Sequence, residues 1–313
     1  MGIGGIFRTQ AGRIRTGWGA LLFFLLLPVF AVPVSYLPLE GLNWQTVPLL
    51  VAGLLAGWVL LAMDGRGPGA LGFYLAPGAF LEAFLGLVLG VVVALGGVLL
   101  IFLLGGVRWG GDAGTAWSYM ETGLKSLWFF TLPAAAEEVL FRGYLLQALV
   151  EAWGRTEALW ATSLAFGVLH LSNPDTSLVG IGNIVVAGLF LGAVYLKTAS
   201  LWWATGAHLG WNWALGFLAD APVSGLELVD TPLYEPIVRG GSWISGGAFG
   251  PEGSLAATLV LGGAAYAVWR SHRLEPGRKA MDVRPLILST HSRRSSEEGS
   301  EGDLETRDAW RMT

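Results

Sequence analysis

The chain has 313 residues, of which 53% are apolar and only 13% are charged, whereas an ordinary soluble domain has about 25% charged residues. This composition excludes an ordinary soluble enzyme, and a net charge of −4 without a long basic run in the body of the chain argues against a nucleic acid partner. The chain has no cysteine, which excludes a disulfide framework, a thiolate metal site and a cysteine nucleophile.

Eight apolar segments come close to the roughly 20 residues that a helix needs to cross the hydrocarbon core of a bilayer. They cover residues 18–38, 44–63, 79–104, 124–149, 156–171, 178–196, 200–218 and 254–270. The sequence therefore predicts an all-α fold, a polytopic bundle of about eight transmembrane helices within residues 1–270. Residues 271–313 are rich in Ser, Glu and Arg, and we expect them to be a disordered cytoplasmic tail.

The Lys and Arg residues predict the orientation, because cytoplasmic loops of membrane proteins carry an excess of positive charge. With the N-terminus inside, fifteen basic residues fall in the inner segments and three in the outer ones. We therefore expect an integral, multi-pass protein of a bacterial plasma membrane, surrounded by the lipid bilayer, with both termini cytoplasmic.

Several small residues are spaced four apart within the predicted helices, which lets neighbouring helix backbones approach closely. The residues with this spacing are Gly86, Gly90 and Ala94, Gly188 and Gly192, and Gly206 and Gly210. After the seventh segment, residues 219–253 are rich in Gly and Pro and carry several carboxylates. They predict an irregular outer loop that could cover the bundle.

Ionisable residues inside a membrane segment cost at least about 2.5 kcal/mol each, so each is a candidate functional residue. The fourth segment contains Glu137, Glu138 and Arg142. Glu138 and Arg142 share one helix face and are expected to form an ion pair. Glu137 points about 100° away and is left without that partner, which suits a carboxylate for proton transfer. Pro133 lies four residues before Glu137, where it either frees a carbonyl group or starts a helix segment.

Two further segments carry polar side chains at membrane depth. His170 ends the fifth segment, and the seventh contains His208 and Asn212, which are four residues apart on one helix face. In apolar helices these groups must find polar partners, and they can do so by converging with Glu137. On these boundaries Glu137 and His208 lie near mid-membrane, but His170 approaches the outer face. The fifth helix must therefore be displaced or bent, or the topology must differ.

Such a cluster supports two hydrolytic chemistries. Two histidines with one or two carboxylates can hold a zinc ion with an open position for water, or they can orient and deprotonate a water molecule without metal. His208 and Asn212 could donate hydrogen bonds to an oxyanion. Both arrangements predict hydrolysis of a carbonyl compound, with a peptide bond as the first candidate. A proton-coupled transporter also uses Glu and His relays and is an alternative.

The order and spacing of these residues resemble the intramembrane CAAX-protease and bacteriocin-processing (CPBP, or Abi) family. That family has the patterns EExxxR, FxxxH, and HxxxN or HxxxD on successive core helices. Here they read Glu137-Glu138-xxx-Arg142, Phe166-xxx-His170 and His208-xxx-Asn212. The resemblance covers about residues 120–220, which would form the catalytic core.

The resemblance implies an intramembrane endopeptidase, similar to CAAX prenyl endopeptidases, that acts on a peptide or protein substrate. Glu137 would be the general base, and His170 would help it to activate water. His208 and Asn212 would stabilise the oxyanion or complete a metal site. The family has been described both as metalloproteases and as glutamate-dependent proteases. The cofactor is therefore either zinc, held by Glu137, His170 and His208, or none.

The same resemblance gives three residues a supporting role, since Glu138 and Arg142 would brace the first core helix and Phe166 belongs to the second motif. The resemblance also extends to scaffolds and immunity proteins without catalytic activity. A non-catalytic membrane scaffold or immunity protein is therefore the main alternative function.

Overall fold

A computed structural model describes residues 7–9, 12–38, 46–283, 285 and 287 of the chain, and this part is mostly helical. The helices are α1 (Thr16–Ser35), α2 (Val47–Met63), α3 (Ala79–Leu103), α4 (Ala116–Glu138), α5 (Tyr144–Trp153), α6 (Arg155–Leu169), α7 (Leu178–Thr198), α8 (Leu201–Trp213), α9 (Ser242–Ser245), α10 (Leu255–Arg270) and α11 (Arg278–Val283). The strands are β1 (Val107–Gly111) and β2 (Tyr234–Val238). Short turns of 3-10 helix cover Pro68–Leu71, Gly247–Phe249 and Pro251–Gly253.

Three of these helices, α1, α3 and α7, are long and apolar enough to cross a membrane, and α2 and α10 are shorter apolar helices. The helical character of the fold is confirmed, whereas the count of about eight transmembrane helices stays a prediction. The predicted segments 156–171 and 200–218 are helical, but α6 and α8 have only 15 and 13 residues. Helices of that length reach about 22 and 20 Å at 1.5 Å per residue.

The predicted irregular loop at 219–253 is more regular than expected. Strand β2 lies in it and pairs antiparallel with β1, so that Val107 lies opposite Val238 and Gly111 opposite Tyr234. An all-α fold is therefore corrected to a mostly helical one with a two-stranded sheet. The strand sequences, Val-Arg-Trp-Gly-Gly and Tyr-Glu-Pro-Ile-Val, do not alternate regularly between apolar and polar residues, so no periodic pattern predicts them. The sheet joins two connections at the same end of the bundle.

Helices α3 and α8 cross in direct backbone contact. A Cβ atom on Gly86 or Gly90 would collide with the backbone of Trp203 or Ala207 on α8. In the same way, a Cβ atom on Gly206 would collide with backbone atoms of α3. Two of the small-residue pairs in the sequence therefore face each other across one interface. This interface fixes the position of α8, which carries His208 and Asn212.

We expect Gly90→Ala to lower the free energy of unfolding by about 1–3 kcal/mol, because an added methyl group would overpack the α3–α8 interface against backbone that cannot rotate away. Gly96→Ala on the same helix is the matched control, since its Cβ atom would lie 3.9 Å from Val260, an ordinary contact. Thermal unfolding of both variants in one detergent tests this. Equal melting temperatures for the two variants would show that the interface is looser than described.

The fourth predicted segment forms one long helical stretch. Helix α4 continues through Pro133 to Glu138, a π-helical turn covers Val139–Gly143, and α5 follows. Of the two roles considered for Pro133, the start of a new helix segment is wrong. Because proline has no N–H group, it instead leaves the carbonyl group of Phe129 without its usual helical partner.

The predicted polar tail, 271–313, is only partly described. Its first residues contain α11, in which Ala280 is buried, and Ile287 is also buried. The remainder of the segment that was expected to be disordered lies outside the described residues.

Candidate active site

A cavity of about 480 Å³ lies among helices α4, α6, α7 and α8. Its wall contains all four candidate catalytic residues, Glu137, His170, His208 and Asn212. Much of the remaining wall is apolar, with Leu140, Phe141, Ile184, Ala187, Phe190 and Leu191 among the contributing side chains. An apolar cavity with a few convergent polar groups is the usual form of a small-molecule or catalytic site.

Helix α6 is short, and this explains how it brings His170 to the same cavity as Glu137 and His208. Helix α6 ends at Leu169, and about 22 Å of helix is shorter than the roughly 30 Å hydrocarbon core of a bilayer. His170 therefore need not reach the outer face. The mismatch in depth between His170 and Glu137 follows from the assumption that every segment spans the full membrane.

Glu137 faces His208 across the cavity wall. Glu137 Oε2 lies 3.8 Å from His208 Nε2, and the Glu137 side chain is 31% exposed. Among the described residues, no hydrogen-bond partner is present for Glu137 Oε2. The separation exceeds a direct hydrogen bond but allows one water molecule to contact both atoms.

Glu138 contacts His208 as well as Arg142. Its Oε1 atom accepts a hydrogen bond from Arg142 Nη1 at 3.0 Å and lies 2.9 Å from His208 Nδ1. The predicted contact between Glu138 and Arg142 is therefore present. The support that this pair would give to the first core helix stays a prediction. Because a carboxylate accepts hydrogen bonds, Glu138 also fixes the proton of His208 on Nδ1. Glu138 thereby orients the ring of His208.

Arg142 is fully enclosed between three helices. Its Nη2 atom donates to the carbonyl oxygen of Gly188 on α7 at 3.1 Å, and its guanidinium lies 4.7 Å from the ring centroid of Phe166 on α6. Both Arg142 and Glu138 are almost completely buried, with side-chain exposures of 1% and 0%. Arg142 thus connects the motif of α4 to α6 and α7.

Phe166 separates the two histidines and contacts both. Its ring centroid lies 4.7 Å from that of His170 and 6.0 Å from that of His208. The carbonyl oxygen of Phe166 accepts a hydrogen bond from His170 Nδ1 at 2.8 Å. This bond leaves Nε2 as the acceptor nitrogen of a neutral His170 ring.

Asn212 lies on the cavity wall one helical turn after His208. Within the described part of the chain, no hydrogen bond links its amide to the other three candidate residues. It follows on the same helix face, so its amide group is placed to contact a ligand in the cavity rather than to brace the histidines.

A π-helical turn accompanies the first and the third motif. Arg142, the last residue of the first motif, lies inside one of these turns, and the other begins two residues after Asn212. Helix α4 ends at Glu138 before Val139–Gly143, and α8 ends soon after Asn212 before Ala214–Leu218. Such turns insert an extra residue into a helix and are frequent at functional sites. The inserted residue changes the direction of the side chains that follow, and the spacing of the motifs does not reveal it.

The donor atoms around Glu137 decide whether this site fits a zinc ion. His208 Nδ1 is engaged by Glu138 and His170 Nδ1 by the carbonyl oxygen of Phe166. Among the described residues, no group of three or more His, Asp or Glu side chains is arranged to hold a metal ion. Engagement of the two Nδ1 atoms leaves both Nε2 atoms for a ligand, as in zinc-binding histidines, so the missing third donor is what argues against a zinc site at Glu137, His170 and His208. Zinc dependence stays a prediction to be tested.

The loop over the cavity contributes residues that the sequence did not single out. Val223, Ser224, Leu226, Leu228 and Glu252 line the cavity. In the same loop, burial raises the pKa of Asp220 above its ordinary value. Glu252 is only 3% exposed, although it lies among glycines and prolines typical of surface turns. One feature of the sequence could have indicated a buried acceptor such as Glu252. Trp211 lies next to Asn212, and the indole N–H group of a buried tryptophan usually donates to an acceptor.

Comparison with known proteins agrees with the motif region. Residues 119–214 match the Rce1-like family model, described as type II CAAX prenyl endopeptidase Rce1-like. The matched segment contains all of the motif residues from Glu137 to Asn212, so the resemblance stated from the motifs is confirmed for this domain. No match was found among curated proteins or among solved structures.

Proposed function

We propose that the chain, which carries an Rce1-like domain at residues 119–214, is an intramembrane endopeptidase in which Glu137 activates a water molecule. The observation that carries this proposal is the position of Glu137 Oε2, which faces His208 Nε2 at 3.8 Å in a largely apolar cavity. The presence of His170 and Asn212 on the same wall supports it. The apolar wall favours an apolar peptide segment as substrate.

Four charged groups are balanced in the proposed resting state. Glu137 and Glu138 are carboxylates, Arg142 is a guanidinium, and His208 is protonated on both nitrogens. Two negative and two positive charges lower the cost of placing these groups in an apolar site. Nδ1–H of His208 then donates to Glu138, and Nε2–H is available as a donor to the cavity.

The hydrolysis begins at the water molecule beside Glu137. Glu137 takes one proton, and the hydroxide that forms attacks the carbonyl carbon of the peptide bond. Nε2 of His170, an acceptor, holds the other hydrogen of the water. The negative charge moves from Glu137 to the carbonyl oxygen, where Nε2–H of His208 and the amide group of Asn212 donate hydrogen bonds.

The tetrahedral intermediate then collapses and the C–N bond breaks. Glu137 gives its proton to the leaving nitrogen, so the products are a carboxylic acid and an amine. Glu137 returns to the carboxylate form, and no covalent bond to the protein forms. Glu138 and Arg142 keep the ring of His208 in one orientation throughout.

We propose further that the bundle crosses the membrane about eight times with both termini in the cytoplasm of a bacterial cell. The predicted inner segments meet at one end, where the Ile14 N–H group bonds Asp64 and the Arg155 side chain bonds the carbonyl oxygen of Leu196. The predicted outer segments meet at the other end, where the Asp112 N–H group bonds the carbonyl oxygen of Leu233. The inner segments contain fifteen Lys and Arg residues and the outer segments three. This excess of positive charge supports a cytoplasmic position for the end at which the inner segments meet.

A cleavage assay tests the proposed function. Purified full-length protein in liposomes is given an internally quenched farnesylated CAAX peptide, and separately the same peptide without the farnesyl group. We expect hydrolysis of at least one peptide, with the new termini identified by mass spectrometry. If neither peptide is cut, the enzymatic proposal fails for this substrate class and a non-catalytic scaffold gains support.

Metal dependence is tested on the same preparation. Because the described donor groups do not form a metal cluster, we expect turnover to be unchanged by o-phenanthroline and the purified protein to contain no stoichiometric zinc. A zinc enzyme would instead lose activity with the chelator and regain it when zinc is restored. Stoichiometric zinc together with chelator-sensitive turnover would contradict the metal-free mechanism.

A further inference from the structure

The carboxyl group of Glu252 is a buried group that the mechanism above does not use. It lies in the 3-10 turn Pro251–Gly253 and lines the cavity. Its described partners are neutral: Oε1 accepts from the indole Nε1–H of Trp211 at 3.0 Å, and Oε2 accepts from the hydroxyl group of Ser224 at 2.9 Å and from its backbone N–H group. With both oxygens occupied by donors, Glu252 is poorly placed to take a proton from water.

The turn that carries Glu252 is itself anchored. The side-chain amide of Asn183 on α7 donates to the carbonyl oxygens of Glu252 and Ser254 at 2.7 and 2.8 Å. The backbone that carries Glu252 is therefore held in place by Asn183. The hydrogen bonds of the Glu252 carboxyl group in turn hold Trp211 and Ser224 in place.

One hydrogen bond of Glu252 reaches helix α8. Trp211 lies between His208 and Asn212 in that helix, and it is bonded directly to Glu252 Oε1. Because α8 already contacts α3 through glycines along one side, this bond holds the helix from the cavity side. Both polar residues of the third motif are thus held by one additional contact.

The other hydrogen bonds of Glu252 lead to His170. Ser224 has a φ of +51°, a left-handed conformation that is uncommon for residues other than glycine. Its carbonyl oxygen accepts from the Asn173 side chain at 2.9 Å, and the backbone N–H of Asn173 donates to the carbonyl oxygen of His170 at 3.1 Å. The chain of contacts from Glu252 through Ser224 and Asn173 therefore ends at His170.

We propose that Glu252 is a positioning residue that sets the separation between His170 and the His208–Asn212 face of α8 across the cavity. The effect of Glu252 on turnover rests on the proposed function. Because displacement of a reacting group by about 1 Å can reduce a rate by about 10²-fold, a single anchor shared by both segments has a measurable effect on turnover.

Glu252→Gln is the first test. A glutamine side chain has nearly the same shape, but it has one acceptor oxygen, so it cannot accept from Trp211 and from the backbone N–H of Ser224 together. We expect kcat for the farnesylated probe to fall by about 10- to 100-fold, with KM changed by less than about threefold because the apolar wall that binds the peptide is intact.

Glu82→Gln is the matched control. Glu82 also accepts hydrogen bonds from neutral groups, the hydroxyls of Tyr74 at 2.8 Å and Ser200 at 2.5 Å, but it does not line the cavity. The hydroxyl groups can reverse their direction to accept from an amide. We expect its kcat to stay within about twofold of the wild-type value.

A second readout does not depend on turnover. The chain has only four histidines, so NMR spectra of protein labelled with ¹³C-histidine resolve the two rings of the cavity. We expect the signals of His170 and His208 to shift in Glu252→Gln and to stay in place in Glu82→Gln. This readout decides the positioning role even if the wild-type protein cuts neither peptide.

The two hypotheses fail in different ways. A wild-type protein without activity overturns the proposed function, while the histidine signals still report on Glu252. Wild-type kcat and unshifted histidine signals in Glu252→Gln overturn the positioning role alone. If Glu252→Gln does not fold, Trp211→Phe removes the hydrogen bond to α8 and Asn173→Ala removes the side-chain bond to Ser224. Wild-type kcat and unshifted histidine signals in both variants would also overturn the positioning role.

Discussion

Replacement of Arg142 by leucine is expected to lower the free energy of unfolding by about 3–5 kcal/mol, the usual cost of breaking a buried ion pair from one side. The leucine cannot donate to Glu138 Oε1 or to the carbonyl oxygen of Gly188, which Arg142 now bonds at 3.0 and 3.1 Å. Glu138 is completely buried, so water cannot replace the lost donor. Among the described residues, His208 is the hydrogen-bond partner that remains. Thermal and denaturant unfolding of the purified protein measure the effect.

Lys125→Leu is the matched control for this prediction. Lys125 pairs with Glu121 on the same helix at the same four-residue spacing, but the two side chains are 71% and 48% exposed. Exposed pairs contribute about 0–1 kcal/mol, so this variant should unfold close to the wild-type temperature. If Arg142→Leu also unfolded at that temperature, the network around Glu138 would not support the fold in the way described.

Glu137→Gln is expected to fold like the wild-type protein and to lose about 10²- to 10⁴-fold in turnover, the usual contribution of a general base. Glutamine has nearly the same shape, and among the described residues no donor bonds Glu137 Oε2, so the substitution breaks no hydrogen bond there. His208 can release its Nε2 proton, which keeps the buried charges balanced. The amide cannot accept the proton of water. Initial rates on the quenched peptides, normalised to folded protein by thermal unfolding, measure the loss.

Glu121→Gln serves as its control, because Glu121 lies on the same helix but outside the cavity. Its turnover should equal that of the wild-type protein. Full activity of Glu137→Gln would remove Glu137 from the mechanism, whereas equal losses in both variants would point to a general effect of the substitutions on the helix.

The sequence was sufficient to predict that four polar side chains, Glu137, His170, His208 and Asn212, meet at one cavity. Buried ionisable residues are costly, so Glu137, His170 and His208 in apolar segments must find polar partners, and they can do so by converging. The four-residue spacing of Glu138 and Arg142 fixed their pairing, because neighbouring turns of a helix place such side chains together. These predictions rest on the spacing of residues within a helix and on the free-energy cost of placing ionisable groups in a membrane.

Contacts between distant segments could not be predicted in this way. The bond between Glu138 and His208 joins residues 70 positions apart, and it depends on the crossing of α4 and α8. Glu252 was missed because a single carboxylate among glycines and prolines has the pattern of a solvated turn. The two π-helical turns also leave no regular signal, since their position depends on packing rather than on local propensity.

The number of membrane crossings was predicted by assuming that each apolar segment is long enough to span. Helix α6 has 15 residues, and its early end is what allows His170 to lie on the wall of a central cavity. Polar motif residues both shorten and interrupt the apolar runs of core helices. Hydropathy is therefore least informative in the helices that carry the site.

The most direct test of the central claim is a structure of the Glu137→Gln variant with an uncleaved farnesylated peptide bound. We expect the scissile carbonyl carbon to lie about 3–3.5 Å from a water molecule held by the amide that replaces the carboxyl group. We also expect the carbonyl oxygen to accept hydrogen bonds from His208 Nε2 and the amide of Asn212. A peptide bound with its scissile bond outside this cavity, or with that carbonyl oxygen beyond hydrogen-bond reach of both groups, would contradict that claim.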